Sequence, residues 1–256
     1  MNKISKAFEN GKAFIGFITA GDPNLEASEK IMIKMAQAGC DLIEIGIPFS
    51  DPIAEGPVIQ NANVRALKQG VTTDKVFELA KKVSAQVDIP LVFMTYLNVL
   101  FKYGYDKFLQ NANDAGVSGV IIPDMPFEEK EELQSVAKNY DIEVVSLIAP
   151  TSEDRIKMIA GEAEGFVYTV SSMGVTGARN EITTDLKTIT KHIKEVTDIP
   201  VAIGFGINTP DQAKEYAHIA DGVIVGSAIV DIVADHGENA PEKVYDYVKA
   251  MKDAIK

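Results

Sequence analysis

Two kinds of hydrophobic pattern alternate along the chain. Short, almost continuous runs of apolar and β-branched residues predict strands, and longer stretches with apolar positions every three or four residues predict helices. The strand candidates are Ala13–Thr19, Asp41–Ile47, Pro90–Tyr96, Gly119–Asp124, Glu143–Ile148, Gly165–Val170, Pro200–Gly206 and Asp221–Ser227. Helical stretches come between and after them: Leu25–Ala38, Thr73–Gln86, Tyr105–Ala115, Glu128–Tyr140, Ser152–Ala160, Asp185–Val196, Pro210–His218 and Pro241–Ile255. The continuous apolar runs are those of parallel strands covered on both faces. Asp88-Ile89-Pro90 and Asp198-Ile199-Pro200 enter two strands alike, and Asp141-Ile142-Glu143 enters a third. Gly39 and Gly116 close two of the helices, where a left-handed cap suits glycine. Eight βα units in 256 residues, with no linker or break in composition, predict one α/β domain over residues 1–256, a (β/α)8 TIM barrel. A doubly wound open sheet is the alternative. It calls for a Gly-rich phosphate fingerprint at the first turn, which Gly16 and Gly21 do not supply.

Within this pattern Glu44 is out of place. Ile43, Ile45 and Ile47 share one face of their strand, and Leu42, Glu44 and Gly46 share the other. With helices over the isoleucines, Glu44 points into the barrel, where a carboxylate is costly unless paired or protonated. No lysine or arginine lies in any predicted strand to pair with it. Burial is expected to raise its pKa, so that it can give as well as take a proton near neutrality.

The loops after the strands carry the chemistry of such a barrel. Two are long: Phe49 to Pro57 after the second strand and Ser171 to Asn180 after the sixth. The first holds Glu55, which reads either as a second acid facing the same substrate or as a solvated loop residue. The second holds Gly174 and Gly177, which give it backbone freedom. Tyr168 alternates with Val167 and Thr169 and reads either as an inward site residue beside Glu44 or as a core tyrosine. Phe17, Met94, Leu97 and Ile148 are candidates for an apolar cavity lining, and Asp124 for a cap on the next helix or a loop orienter. Gly204-Phe205-Gly206 and Gly226-Ser227 end the last two strands, where a phosphate sits in many barrels. Glycines also serve tight turns, but two clusters together with Gly177 favour a phosphate.

Absences narrow the reaction. No strand lysine is available for a Schiff base. His192, His218 and His236 fall on or after helices rather than in a metal cluster, and Cys40 lies at the barrel's bottom as a core thiol. The net charge of −12 argues against nucleic acid or an anionic membrane as partner. A lone cysteine, a polar N-terminal stretch and the absence of a bilayer-length apolar run lead to the expectation of a soluble, cytoplasmic protein.

The run Glu44-Ile45-Gly46-Ile47-Pro48-Phe49-Ser50-Asp51-Pro52-Ile53-Ala54-Glu55-Gly56-Pro57 closely resembles the signature of the tryptophan synthase α chain family. Phe17 to Pro23, Ile122 to Pro126, Ser171 to Gly177, Gly204 to Ile207 and Val225 to Ala228 resemble its other strand ends and loops. The resemblance implies retro-aldol cleavage of indole-3-glycerol phosphate to indole and glyceraldehyde 3-phosphate, without metal or organic cofactor. It implies an extra helix before the first strand, within Lys3 to Glu9. By position it makes Glu44 the catalytic acid/base and Glu55 the acid that holds the ring N–H. It makes Phe17 and Tyr168 substrate-binding residues, Thr176 a lid threonine, and Gly177, Gly206, Gly226 and Ser227 the phosphate cradle. Better-known members carry aspartate at the position of Glu55, so this chain reaches one methylene farther. The family also implies a pyridoxal-phosphate β chain as partner in an α2β2 complex, with indole passing through a tunnel and Asp51, Pro52, Asn98 and Asp124 at or behind the contact. A stand-alone lyase and a mainly regulatory activator of a β chain are the alternatives.

Overall fold

A computed structural model describes residues 3–170, 186–204 and 206–256. Eight parallel strands close into a barrel in sequential order. They are β1 (Ala13–Thr19), β2 (Leu42–Gly46), β3 (Leu91–Met94), β4 (Gly119–Ile121), β5 (Glu143–Ile148), β6 (Glu164–Val170), β7 (Val201–Gly204) and β8 (Gly222–Val225). Most are shorter than their apolar runs. Pro90 and Pro200 have no N–H to enter a ladder, and Ser227, expected to end β8, instead begins a helix. The described helices are α1 (Leu25–Gln37), α2 (Pro57–Lys68), α3 (Thr73–Ser84), α4 (Leu97–Tyr103), α5 (Tyr105–Asp114), α6 (Lys130–Ala137), α7 (Glu153–Gly161), α8 (Leu186–Lys194), α9 (Pro210–Ala217), α10 (Ser227–His236) and α11 (Ala240–Ala254). None is long and apolar enough to cross a membrane.

Strand alternation sorts the side chains into two cores. Phe14, Ile18, Ile43, Ile45 and Phe93 pack outward against the helices. Ile15, Leu42, Val92, Ile121, Phe166, Tyr168, Ala202 and Ile224 fill the barrel. The expected extra helix is a 3-10 helix, Ile4–Phe8, and it plugs the barrel's lower end. A Cβ on Gly119 would stand 2.7 Å from the Ile4 side chain, so that glycine leaves room for the plug.

Strand alternation corrects one expectation, and the contact of Asp124 decides between two alternatives. Ile148 belongs to the outer core and Leu97 packs against it, so neither lines the inner cavity; the expected Met94 and Phe17 do, and Leu147 joins them. Asp124 does not cap the helix that follows it. Its Oδ1 accepts from the Leu97 N–H at 2.9 Å, at the start of α4.

A third core sits on the barrel's upper mouth. Phe17 of β1, Ile59 and Ala62 of α2, and Val230 of α10 form a small cluster of their own. It seats α2 and α10 side by side above the strand ends.

Candidate active site

The upper mouth opens into a cleft of about 710 Å³, counted out to its open edge and lined mainly by apolar side chains. Glu44, Glu55, Phe17, Tyr168, Gly206, Gly226 and Ser227 all line it. Met94, Leu147, Ile59 and Ile224 complete the apolar walls. Thr176 and Gly177 lie outside the described residues.

Glu44 is in register between Phe17 of β1 and Val92 of β3. It is fully buried, and neither carboxylate oxygen has a hydrogen-bond partner among the described residues. Loss of water around the charged form pushes its pKa up to about 8. At neutral pH this side chain is therefore a protonated carboxylic acid facing an apolar cleft.

Two glycines shape the walls beside it. A Cβ on Gly46 would stand 2.6 Å from the Phe17 ring, and one on Gly204 would stand 2.6 Å from the Tyr168 hydroxyl oxygen. The missing side chains let both rings lie across the strand ends. Tyr168 belongs to the inner core and is 5 % exposed; burial first, and Glu44 when ionised second, raise its hydroxyl pKa well above the usual range.

Glu55 is held, not solvated. Asn63 Nδ2 donates to its Oε2 at 2.7 Å, and the Tyr96 hydroxyl bonds to the carboxylate as well. Gln60 Nε2 donates to its backbone carbonyl at 2.7 Å. The Tyr96 oxygen also accepts from the Ala54 N–H at 3.1 Å, and Phe49 stacks on the Tyr96 ring with centroids 5.2 Å apart. Burial drives the Glu55 pKa up to about 7, against the two side-chain donors that pull it down. The two acids thus meet in one cleft with different surroundings: among the described residues one has no hydrogen-bond partner and the other has two.

On the wall above β8, two strands from Glu44 with β1 between them, α10 begins. Gly226 is its N-cap and Ser227 its first residue. The first N–H groups of a helix have no intrahelical acceptor and carry the positive end of the helix dipole. Gly206, in a left-handed conformation with φ of 87°, borders the same end of the cleft. Together they offer backbone donors to an anion beside an apolar slot closed by an acid.

Asn63, Tyr96 and Ile59 are not legible as site residues, because the sequence pattern assigns no element to α2 or α4 and places Tyr96 at the end of a strand. A signal for α2 existed. Ile59, Ala62, Asn63 and Ala66 fall at helical spacing after Pro57, and all four are buried. Cys40 is a buried core thiol whose Sγ lies 3.0 Å from the Leu42 carbonyl oxygen, and burial pushes its pKa up to about 12. His218 and His236 are exposed, and none of the three histidines borders the cleft.

Comparison with known proteins agrees with this geometry. A family model described as tryptophan synthase alpha chain matches residues 4–256. A tryptophan synthase alpha chain of Lactiplantibacillus plantarum is 51% identical over 256 residues, covering 100% of this chain and 97% of the relative. A solved structure from Aquifex aeolicus superposes with a TM-score of 0.91 at 37% identity, covering 100% of both chains. A structure of Mycobacterium tuberculosis tryptophan synthase follows at 0.90 and 32% identity, covering 99% of this chain and 98% of that one.

Proposed function

The chain belongs to the tryptophan synthase alpha chain family, and from that membership we propose how its cleft carries out the family's reaction. The activity is that of a carbon–carbon lyase of tryptophan biosynthesis, which cleaves indole-3-glycerol phosphate to indole and glyceraldehyde 3-phosphate. The phosphate docks on the N-terminus of α10, taking backbone N–H donors near Gly226 and Gly206 and the Ser227 hydroxyl. The indole ring lies in the apolar slot bounded by Phe17, Tyr168 and Leu147. Glu44 gives its proton to the third ring carbon. The ring becomes cationic, and the Glu55 carboxylate holds the ring N–H where that charge develops. The bond between ring and side chain then breaks, its electron pair returning to the ring. The side-chain hydroxyl loses its proton to the Glu44 carboxylate or to water and becomes the aldehyde.

The observation that carries this reading is the buried Glu44 carboxyl, without a hydrogen-bond partner among the described residues, in a cleft that a helix N-terminus also borders. A carboxylic acid kept neutral at pH 7 can protonate carbon only because it holds its proton until the ring arrives. In Glu44→Gln, release of indole is expected to stop while a non-cleavable indolyl-alkyl phosphate binds within about threefold of wild type. Retained turnover would reject Glu44 as the acid.

The partner belongs to the same reading. We infer a β chain that carries pyridoxal phosphate, joined in an α2β2 complex and receiving indole directly. The Mycobacterium tuberculosis neighbour is a tryptophan synthase. On this chain Ile53 of the second loop is 74 % exposed and Phe101 of α4 is 71 % exposed, and both flank the elements that hold Glu55. Turnover measured with and without a β chain distinguishes this reading from a stand-alone lyase, which predicts no stimulation.

A further inference from the structure

We propose that the ion pair between Asp22 and Arg65 is a positioning device for Glu55: it fixes the rotation of α2 and thereby the place of the acid's hydrogen-bond donor. The inference rests on the reading of Glu55 as the group that holds the ring N–H.

Asp22 lies in the loop after β1 and is 2 % exposed. Arg65 lies on α2. Its Nε donates to Asp22 Oδ1 and its Nη2 to Asp22 Oδ2, each at 2.7 Å. Both carboxylate oxygens are engaged in a fork, the geometry that adds direction to charge. Asp22 is itself anchored. Ser28 of α1 donates its hydroxyl to the Asp22 carbonyl at 3.2 Å and accepts from the Gly21 N–H at 2.9 Å. The acid end of the pair is thus tied to the main body of the barrel.

α2 needs such an anchor. Ile59 and Ala62 seat it through the small cluster at the barrel mouth, and apolar contact is non-directional. That contact, with Ala66 in the main core, selects which face of α2 points inward but gives the helix no directional bond. Asn63, two positions before Arg65, is the residue whose direction matters, because its Nδ2 donates to Glu55 Oε2. A side-chain tip stands ~5 Å from a helix axis, so a turn of about 20° carries it ~2 Å. That displacement exceeds the range of a hydrogen bond that starts at 2.7 Å. A paired fork on one face and an amide donor on another make α2 a lever: Arg65 sets the angle and Asn63 delivers it to Glu55.

The test is steady-state indole release by the chain with its β chain, for wild type, Arg65→Lys, Arg65→Met and Asp22→Asn. Arg65→Lys keeps the charge but loses the fork, and guards against a variant that simply fails to fold. The expected result is a fall in kcat between about tenfold and a hundredfold, as for a misplaced catalytic group, with KM changed less than about threefold. The same substitutions are then made in a Glu55→Gln background. There they are expected to cost almost nothing further, because the group they position has gone. An equal loss in both backgrounds, or an unchanged kcat in Arg65→Met, would overturn the inference. A wild-type chain that releases no indole would overturn the function itself and this inference with it, whereas normal wild-type turnover confines any failure to the ion pair.

Discussion

Two glutamates in one cleft have been driven the same way by burial and separated by what they touch. Among the described residues Glu44 has no hydrogen-bond partner, and its pKa is pushed up to about 8; Glu55 has Asn63 and Tyr96 and a pKa pushed up to about 7. If the first must be protonated and the second ionised, kcat/KM describes a bell. Its alkaline limb follows loss of the Glu44 proton near pH 8, and its acid limb follows protonation of Glu55 near pH 7. Glu55→Gln is expected to remove the acid limb and leave the alkaline one, and a pH profile with both limbs intact would reject the assignment. The same burial has a cost in stability. The Glu44 pKa in the folded chain lies above that of an unfolded carboxyl, so the folded state binds more protons as pH rises from about 4.5 to 8, and stability falls through that window. Glu44→Gln carries no such penalty. Its gain over wild type is expected to be absent at pH 4 and to reach about 3 kcal/mol at pH 7, read from urea unfolding at the two pH values. Of these two acids only Glu44 was legible in the sequence, because a carboxylate in an unbroken apolar run has one plain meaning. Glu55 stayed open between site and solvent, since its burial depends on donors that spacing alone does not bring together.

At the scale of elements, the missed helix explains most of what the sequence left unsettled. The strands were readable because each is a short apolar run between turn residues, and their faces followed from alternation. β2 shows this most clearly, with Ile43 and Ile45 in the outer core and Leu42 in the inner one. α2 follows the second loop in a stretch to which the sequence pattern assigns no element, although its buried positions have helical spacing. α4 falls in the unassigned stretch between the third predicted strand, which runs to Tyr96, and the helix predicted from Tyr105. These two elements carry the holders of Glu55: Asn63 lies on α2, and Tyr96 is the N-cap of α4. A donor to the ionised form lowers a carboxyl pKa. Asn63→Ala is therefore expected to move the acid limb of the rate profile to higher pH by about one unit, the value of one hydrogen bond to a charged group. Titrating the variant across pH 6 to 9 checks it, and an unmoved limb would mean that Asn63 does not act on Glu55.

For the whole molecule, the proposed β chain raises the question of how a partner on the outside would reach an acid on the inside. Tyr96 stands at the junction. Its hydroxyl engages Glu55 and the Ala54 N–H, its ring stacks on Phe49, and its backbone opens α4, on which Phe101 stands exposed. A surface that covers Phe101 and Ile53 presses on α4 and on the second loop at once, and Tyr96 joins the two. Seating a phenylalanine from water into an apolar contact is worth about 2 kcal/mol, which is more than tenfold in affinity. Placing a carboxylate at that contact costs more, since the charge loses its water without gaining a partner. Phe101→Glu leaves the cleft untouched, so the free α chain is expected to release indole at the wild-type rate. Its affinity for a β chain is expected to fall by more than about tenfold, and the stimulation of turnover with it. Calorimetric titration with the β chain, run beside the activity assay, separates the two effects. Wild-type affinity in Phe101→Glu would place the contact elsewhere on the barrel, and Tyr96 would then lose its part in linking partner to acid.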